Sequence, residues 1–122
     1  MAKKILVVDD ERDALKMLRI RLEKNGYAVI GAVSGEECLE KAVREKPDLI
    51  LLDVLLPKLS GFTVCEILKQ NAGTRDIPVI MLTALIGESV KKRGSESGAK
   101  YLLSKPYDTK DLLWVIENAL KG

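Results

Sequence analysis

Apolar side chains fall into five short runs along the chain, at residues 5–8, 28–33, 49–52, 79–82 and 101–103, each followed by a longer amphipathic stretch. Those stretches, residues 11–24, 35–45, 61–71, 87–97 and 109–120, predict helices. The first, third and fourth runs are continuously apolar: Ile5-Leu6-Val7-Val8, Leu49-Ile50-Leu51-Leu52 and Val79-Ile80-Met81-Leu82. Strands buried on both faces look like this, and parallel strands covered by helices are the usual case. Strand and helix alternate throughout, with no repeat, linker or low-complexity segment. The pattern predicts an α/β fold of five βα units joined by right-handed crossovers, forming one domain over residues 1–122.

The helices differ in quality. The first carries Leu15, Leu18 and Leu22 at spacings of three and four, one buried stripe, and Asn25-Gly26 stops it. The fourth has Val90 as its single large apolar residue and includes Gly94 and several serines. Its intrinsic helicity is poor, which predicts a short or mobile element. In the fifth, Leu112, Val115, Ile116 and Ala119 form an apolar arc with Leu113 and Leu120 at its margin. At about 100° per residue the only tryptophan, Trp114, points away from that arc.

Composition changes the picture mainly by exclusion. Of 122 residues, 47% are hydrophobic and 31% charged, a globular balance with enough chain for one core. The longest apolar runs are too short to cross a bilayer, and residues 1–10 do not read as a signal peptide, so the expected location is the cytoplasm without membrane insertion. A net charge of +2 with no basic tract gives direct nucleic-acid binding little electrostatic support. Cys38 and Cys65 match neither zinc nor redox spacing and read as small core side chains. The absence of histidine removes His-based triads, His-ligated zinc and any internal histidine-to-aspartate relay.

In an open α/β sheet, ligands bind beyond the carboxyl ends of the strands. Asp9 and Asp10 follow the first predicted strand, Asp53 the third, Thr83 the fourth and Lys105 the fifth. Each has a bland reading taken alone: Asp10 as a helix N-cap, Asp53 as a loop cap, Thr83 as a cap of the fourth helix, Lys105 as a solvated charge. Together on one rim they need a different account, since clustered carboxylates repel and call for a cation. Mg²⁺ suits such a site: it takes oxygen ligands, keeps several waters, and works with one or two carboxylates and a phosphate. A carboxylate can serve as the nucleophile that becomes an aspartyl phosphate. Mg²⁺ and Lys105 would then neutralise the phosphoryl oxygens while Thr83 donates a hydrogen bond.

At this point the chain resembles the receiver domains of two-component response regulators. Leu6-Val7-Val8-Asp9-Asp10-Glu11 is similar to their acidic-pair motif, and residues 53–62 to their phosphoacceptor motif, with Asp53, Pro57 and Gly61 at the family's spacing. Pro78-Val79-Ile80-Met81-Leu82-Thr83-Ala84 and Lys105-Pro106-Tyr107 match the other two signatures. The resemblance implies a flavodoxin-like doubly wound sheet of order 2-1-3-4-5. It also implies Asp53 as phosphoacceptor and Mg²⁺ held by Asp9, Asp10, Asp53 and the main-chain carbonyl of Leu55. Thr83 and Lys105 would contact the phosphoryl group, and Lys105-Pro106 would be a cis peptide.

The implied function is a phosphorylation-dependent switch that catalyses only its own phosphorylation and dephosphorylation. Its partner would be a histidine kinase or histidine phosphotransfer protein docking on the first helix at Ala14, Met17 and Arg21. A homodimer or effector would use the face of the fourth helix, fifth strand and fifth helix, around Trp114. One position departs from the family: the residue three before the Lys, usually aromatic, is Leu102. Three other readings exist. An aspartyl-nucleophile phosphohydrolase needs Asp-x-Asp after the first strand, where this chain has adjacent Asp9-Asp10. A flavin or nucleotide carrier needs a glycine in the turn after the first strand, which is absent. A receiver that only drains phosphate from a shared kinase is compatible with the sequence.

Overall fold

A computed structural model describes residues 2–121. Strands and helices alternate as β1 (Lys4–Val8), α1 (Arg12–Lys24), β2 (Ala28–Ala32), α2 (Gly35–Glu45), β3 (Leu49–Asp53), α3 (Gly61–Gln70), β4 (Val79–Thr83), α4 (Glu88–Glu96), β5 (Tyr101–Ser104) and α5 (Thr109–Leu120). All strand pairs are parallel, in the order β2-β1-β3-β4-β5. The chain therefore leaves β1 toward one edge and β3 toward the other. The carboxyl ends of those two strands flank the switch point.

Strand alternation divides the apolar runs between two cores. Leu6, Val8, Ile50, Leu52, Val79 and Met81 face α2 and α3, where they meet Cys38, Ala42, Phe62, Cys65 and Leu68. Ile5, Val7, Leu49, Leu51, Ile80 and Leu82 face α1 and α5, against Leu18, Leu22, Leu112 and Ile116. Every residue of β3 and β4 is buried, as continuous apolar runs require. Truncating a fully buried side chain such as Leu51 to Ala would cost about 2–5 kcal/mol, because the cavity left behind closes only in part.

Local chemistry sets the helix ends. The Ser34 hydroxyl accepts the Glu37 N–H at 3.1 Å, and the Glu37 carboxylate accepts the Val33 N–H at 2.6 Å, a variant of the capping box that reaches one residue before the N-cap and opens α2. Gly26, at φ 91°, takes the left-handed turn that ends α1.

Several sequence expectations shift in detail. Asp53 and Thr83 are the last residues of β3 and β4, not the residues after them, since register with the neighbouring strands carries the ladder one step further. The capping roles considered for Asp10 and Thr83 are not realised: the N-cap positions of α1 and α4 are Glu11 and Gly87. Helix α4 is short, at nine residues, as its composition predicts. Its Gly94 is buried, and a Cβ there would lie 3.5 Å from Leu102 Cδ1, an ordinary contact, so packing against β5 would admit a small side chain at this position. Both cysteines are buried; desolvation, with Cys65 nearby, pushes the Cys38 thiol up to about 12, which keeps it protonated and unreactive.

Candidate functional site

Four of the five residues singled out at the strand ends, Asp9, Asp10, Asp53 and Lys105, converge, and Thr83 closes β4, the strand between β3 and β5. Carboxylate oxygens of Asp9, Asp10 and Asp53 lie within 4.8 Å of one another. Asp9 and Asp53 are each only 7% exposed, while Asp10 is open to solvent. Lys105 reaches across from the end of β5 and donates from Nζ to Asp53 Oδ2 at 3.2 Å, so it is no solvated bystander. Its backbone is fixed by its own N–H, which donates to the Thr83 carbonyl at 2.7 Å, and the Lys105–Pro106 peptide is cis.

Main-chain groups orient the carboxylates. Asp9 Oδ1 accepts the Glu11 N–H at 2.9 Å. Asp53 Oδ1 accepts the Leu55 N–H at 3.2 Å, which folds the start of the β3–α3 loop back over the acid and realises the loop-capping role considered for Asp53. Thr83 is fully buried, and its hydroxyl accepts the Leu85 N–H at 2.9 Å, leaving its own proton free to donate.

The electrostatics follow from this packing. Burial raises the Asp9 carboxyl above its ordinary value, and the charges of Asp53 and Asp10 push the same way; the Glu11 N–H and Lys105 offset them in part. Lys105 is half-buried, which would pull its ammonium down, but the hydrogen-bonded Asp53 carboxylate outweighs that and holds it above the ordinary lysine value. Among the described residues these three carboxylates have one ammonium in ion-pair contact, that of Lys105 on Asp53. Hard oxygen donors with an uncompensated negative charge are the donor chemistry of a Mg²⁺ site.

The structure adds residues that sequence reasoning did not assign. A Cβ on Gly61 would collide with the Asp53 carbonyl oxygen and lie 2.8 Å from Val54 Cα, while the Gly61 N–H donates to the Val54 carbonyl at 2.8 Å. Only glycine lets α3 begin this close to the backbone of Asp53. The motif spacing signalled that glycine; the reason is visible only in three dimensions. Tyr107 is half-buried beside the rim, and burial raises its phenol, with Lys105 and Arg21 pulling back and Asp9 and Asp53 adding to the rise. Nothing in the local sequence marks it beyond following Lys105-Pro106.

The proposed surfaces are also in view. Met17 on α1 is 59% exposed, with Ala14 exposed beside it and Arg21 half-buried. Trp114 is 58% exposed on α5, and its ring meets Tyr101 edge-on, with centroids 6.3 Å apart at 74°. Leu102 turns to the other side of β5, toward Gly94 and Phe62. Among the described residues no helix is long and apolar enough to cross a membrane.

Comparison with known proteins gives a consistent picture. A family model, the response regulator receiver domain, matches residues 5–117. The chain is 49% identical over 112 residues to the alkaline phosphatase synthesis transcriptional regulatory protein PhoP of Bacillus subtilis. That match covers 92% of this chain and 46% of the relative, so the chain spans about half the length of that protein. Among solved structures, the chemotaxis protein CheY4 of Vibrio cholerae superposes with a TM-score of 0.92 at 30% identity, covering 98% of this chain and 99% of that one. The receiver domain of the sensor histidine kinase PA1611 of Pseudomonas aeruginosa, 24% identical, shares the fold at a TM-score of 0.91 over 100% of both chains; it was solved with magnesium coordinated in its active site cleft.

Proposed function

Because the chain belongs to the receiver domain family of two-component response regulators, we propose that Asp53 is its phosphoacceptor and that residues 1–122 act as one receiver unit. The observation that carries this reading is the cluster of Asp9, Asp10 and Asp53 within 4.8 Å, with Lys105 Nζ 3.2 Å from Asp53 Oδ2. One Asp53 oxygen attacks the phosphorus of a donor such as phosphohistidine. The O–P bond forms as the donor's P–N bond breaks, leaving an acyl phosphate on Asp53.

Asp9, Asp10, Asp53 and the Leu55 carbonyl would hold Mg²⁺, which supplies charge neutralisation to the transferring group. The magnesium in the cleft of the PA1611 receiver supports that choice of ion. Lys105 neutralises the phosphoryl oxygens from the other side, and the Thr83 hydroxyl donates to one of them. The domain promotes only this transfer and the later hydrolysis of the acyl phosphate, in which water restores the Asp53 carboxylate and inorganic phosphate leaves; it acts as a switch.

Receivers of response regulators interact with histidine kinases or phosphotransfer proteins. On this chain the contact falls on α1 at Ala14, Met17 and Arg21, supported by the exposure of Met17 on the helix that follows Asp9 and Asp10. Phosphorylation changes the α4-β5-α5 face around Trp114, which then favours a second copy or an effector.

The test is direct. Incubation with Mg²⁺ and acetyl phosphate adds one phosphoryl group to the wild type, read by intact mass, and none to Asp53→Asn. Equal labelling of that variant would place the acceptor elsewhere. A receiver that merely drains phosphate would label identically, and would be told apart by a partner that binds both forms equally.

A further inference from the structure

At the opposite end of the sheet from the acidic rim lies a cavity of about 570 Å³, larger than the spaces around α4 and between α2 and α3. It is bounded by the amino ends of β1, β3, β4 and β5. Four cations line it, Lys3, Lys69, Arg75 and Lys100, against two carboxylates, Asp48 and Asp76. Among the described residues none of these six side chains forms an ion pair. Asp48 is already engaged, accepting the Lys4 main-chain N–H at 2.7 Å.

Lys69 is the fixed point of this cavity. Its ammonium donates to the carbonyls of Ile77 at 2.8 Å and Arg75 at 3.1 Å, which leaves one N–H to give. Its stem is clamped under the turn after α4: a Cβ on Gly98, which sits at φ 97°, would lie 2.7 Å from Lys69 Cγ. The ammonium is therefore positioned before any ligand arrives, and little side-chain entropy remains to be lost. Burial lowers its proton affinity, Cys65 and Asp76 offset part of this, and Lys100 adds slightly to the lowering, so a bound anion would favour the charged form that burial disfavours. Pro78 and Leu120 supply an apolar wall on the same cavity.

We propose that this cavity is a second ligand site, distinct from the acidic rim, that binds a small soluble molecule bearing a phosphate or diphosphate group on an apolar body. Lys69 and Lys100 hold the anionic group, Arg75 and Lys3 close over it as mobile surface cations, and the apolar body lies along Pro78 and Leu120. The volume lies within the range of pockets that enclose small ligands.

The test uses the whole chain in magnesium-free buffer with chelator, so that the acidic rim holds no metal to recruit phosphate. Inorganic pyrophosphate and ADP are titrated separately while backbone amide resonances are followed. Saturable shifts are expected at Lys69, Gly98 and Lys100 and not at Asp9, Asp10 or Asp53, with ADP also moving Leu120. Lys100→Glu, on an exposed side chain, should weaken binding at least about tenfold, the loss expected for one charge-assisted hydrogen bond. Lys69→Met should abolish it. Both variants should still label on Asp53 with acetyl phosphate and Mg²⁺, which shows that they fold. Shifts confined to the acidic rim, linear shifts without saturation, or binding unchanged in a folded Lys100→Glu would overturn the proposal. Because Asp53 labelling is measured separately, failure here leaves the phosphoacceptor reading standing, and the reverse also holds.

Discussion

Lys105 Nζ lies 3.2 Å from Asp53 Oδ2, a contact between residues 52 positions apart that joins the end of β5 to the end of β3. Among the described residues this ammonium, through Asp53, is the ion-pair partner of the three neighbouring carboxylates, and it stands beside the Asp53 oxygen that a phosphoryl group would occupy or adjoin. Lys105→Met should leave the fold intact in the presence of Mg²⁺ but lower the rate of labelling by acetyl phosphate roughly a hundredfold, the usual loss for one preorganised electrostatic donor. Time-resolved intact mass reads the rate. An unchanged rate would remove Lys105 from the chemistry.

Metal addition should stabilise the protein. At one hundred times its dissociation constant a ligand contributes about 2.7 kcal/mol, enough to raise the melting temperature by several degrees. Asp10→Ala should lose most of that rise while melting higher than wild type without metal, because one of three mutually repelling carboxylates is gone. A wild-type melt that ignores Mg²⁺ would argue against the site.

Leu55 and Leu85 border the rim and are 54% and 38% exposed. Neither side chain can orient a hydrolytic water, so the phosphorylated form should be long-lived. Leu55→Asn combined with Leu85→Glu should shorten its lifetime by about tenfold, since a positioned general base typically contributes at least that much. Decay of the phosphorylated mass with time is the measurement, and an equal lifetime in the double variant would locate water control elsewhere.

Met17 presents an apolar side chain on α1 that intramolecular packing leaves 59% exposed. Met17→Glu should slow transfer from the cognate kinase by about tenfold, the scale of one interface side chain worth more than 1 kcal/mol. Labelling by acetyl phosphate should not change. Loss of both activities together would mean that the fold was damaged.

Trp114 meets Tyr101 edge to face and is otherwise largely solvent-facing. Beryllofluoride with Mg²⁺ imitates the phosphoryl group on Asp53, and its binding should change Trp114 fluorescence and favour self-association or partner binding. With the mimic demonstrably bound, a silent Trp114 and an unchanged mass in solution would put the output on another face.

Much of this protein could be read from the chain before any coordinates. Continuous apolar runs such as Leu49–Leu52 can be strands only if both faces are covered, so burial alone determines a sheet between two helical layers. Asp9, Asp10, Asp53, Thr83 and Lys105 could be assigned to one rim because every parallel strand ends on the same side, whatever the order of strands. Distances were another matter. Strand order and register decide that Asp53 faces Lys105 across β4, and that Leu55 folds its N–H onto the acid it follows. One glycine makes the same point: Gly61 is required by the backbone of Asp53 and Val54, a close approach that no local window of sequence displays. The cation cavity had no sequence signature at all: Lys3, Lys69, Arg75 and Lys100 are separated along the chain and unremarkable in each local window. Tertiary structure brings them together, since the amino ends of parallel strands, like their carboxyl ends, must share one edge.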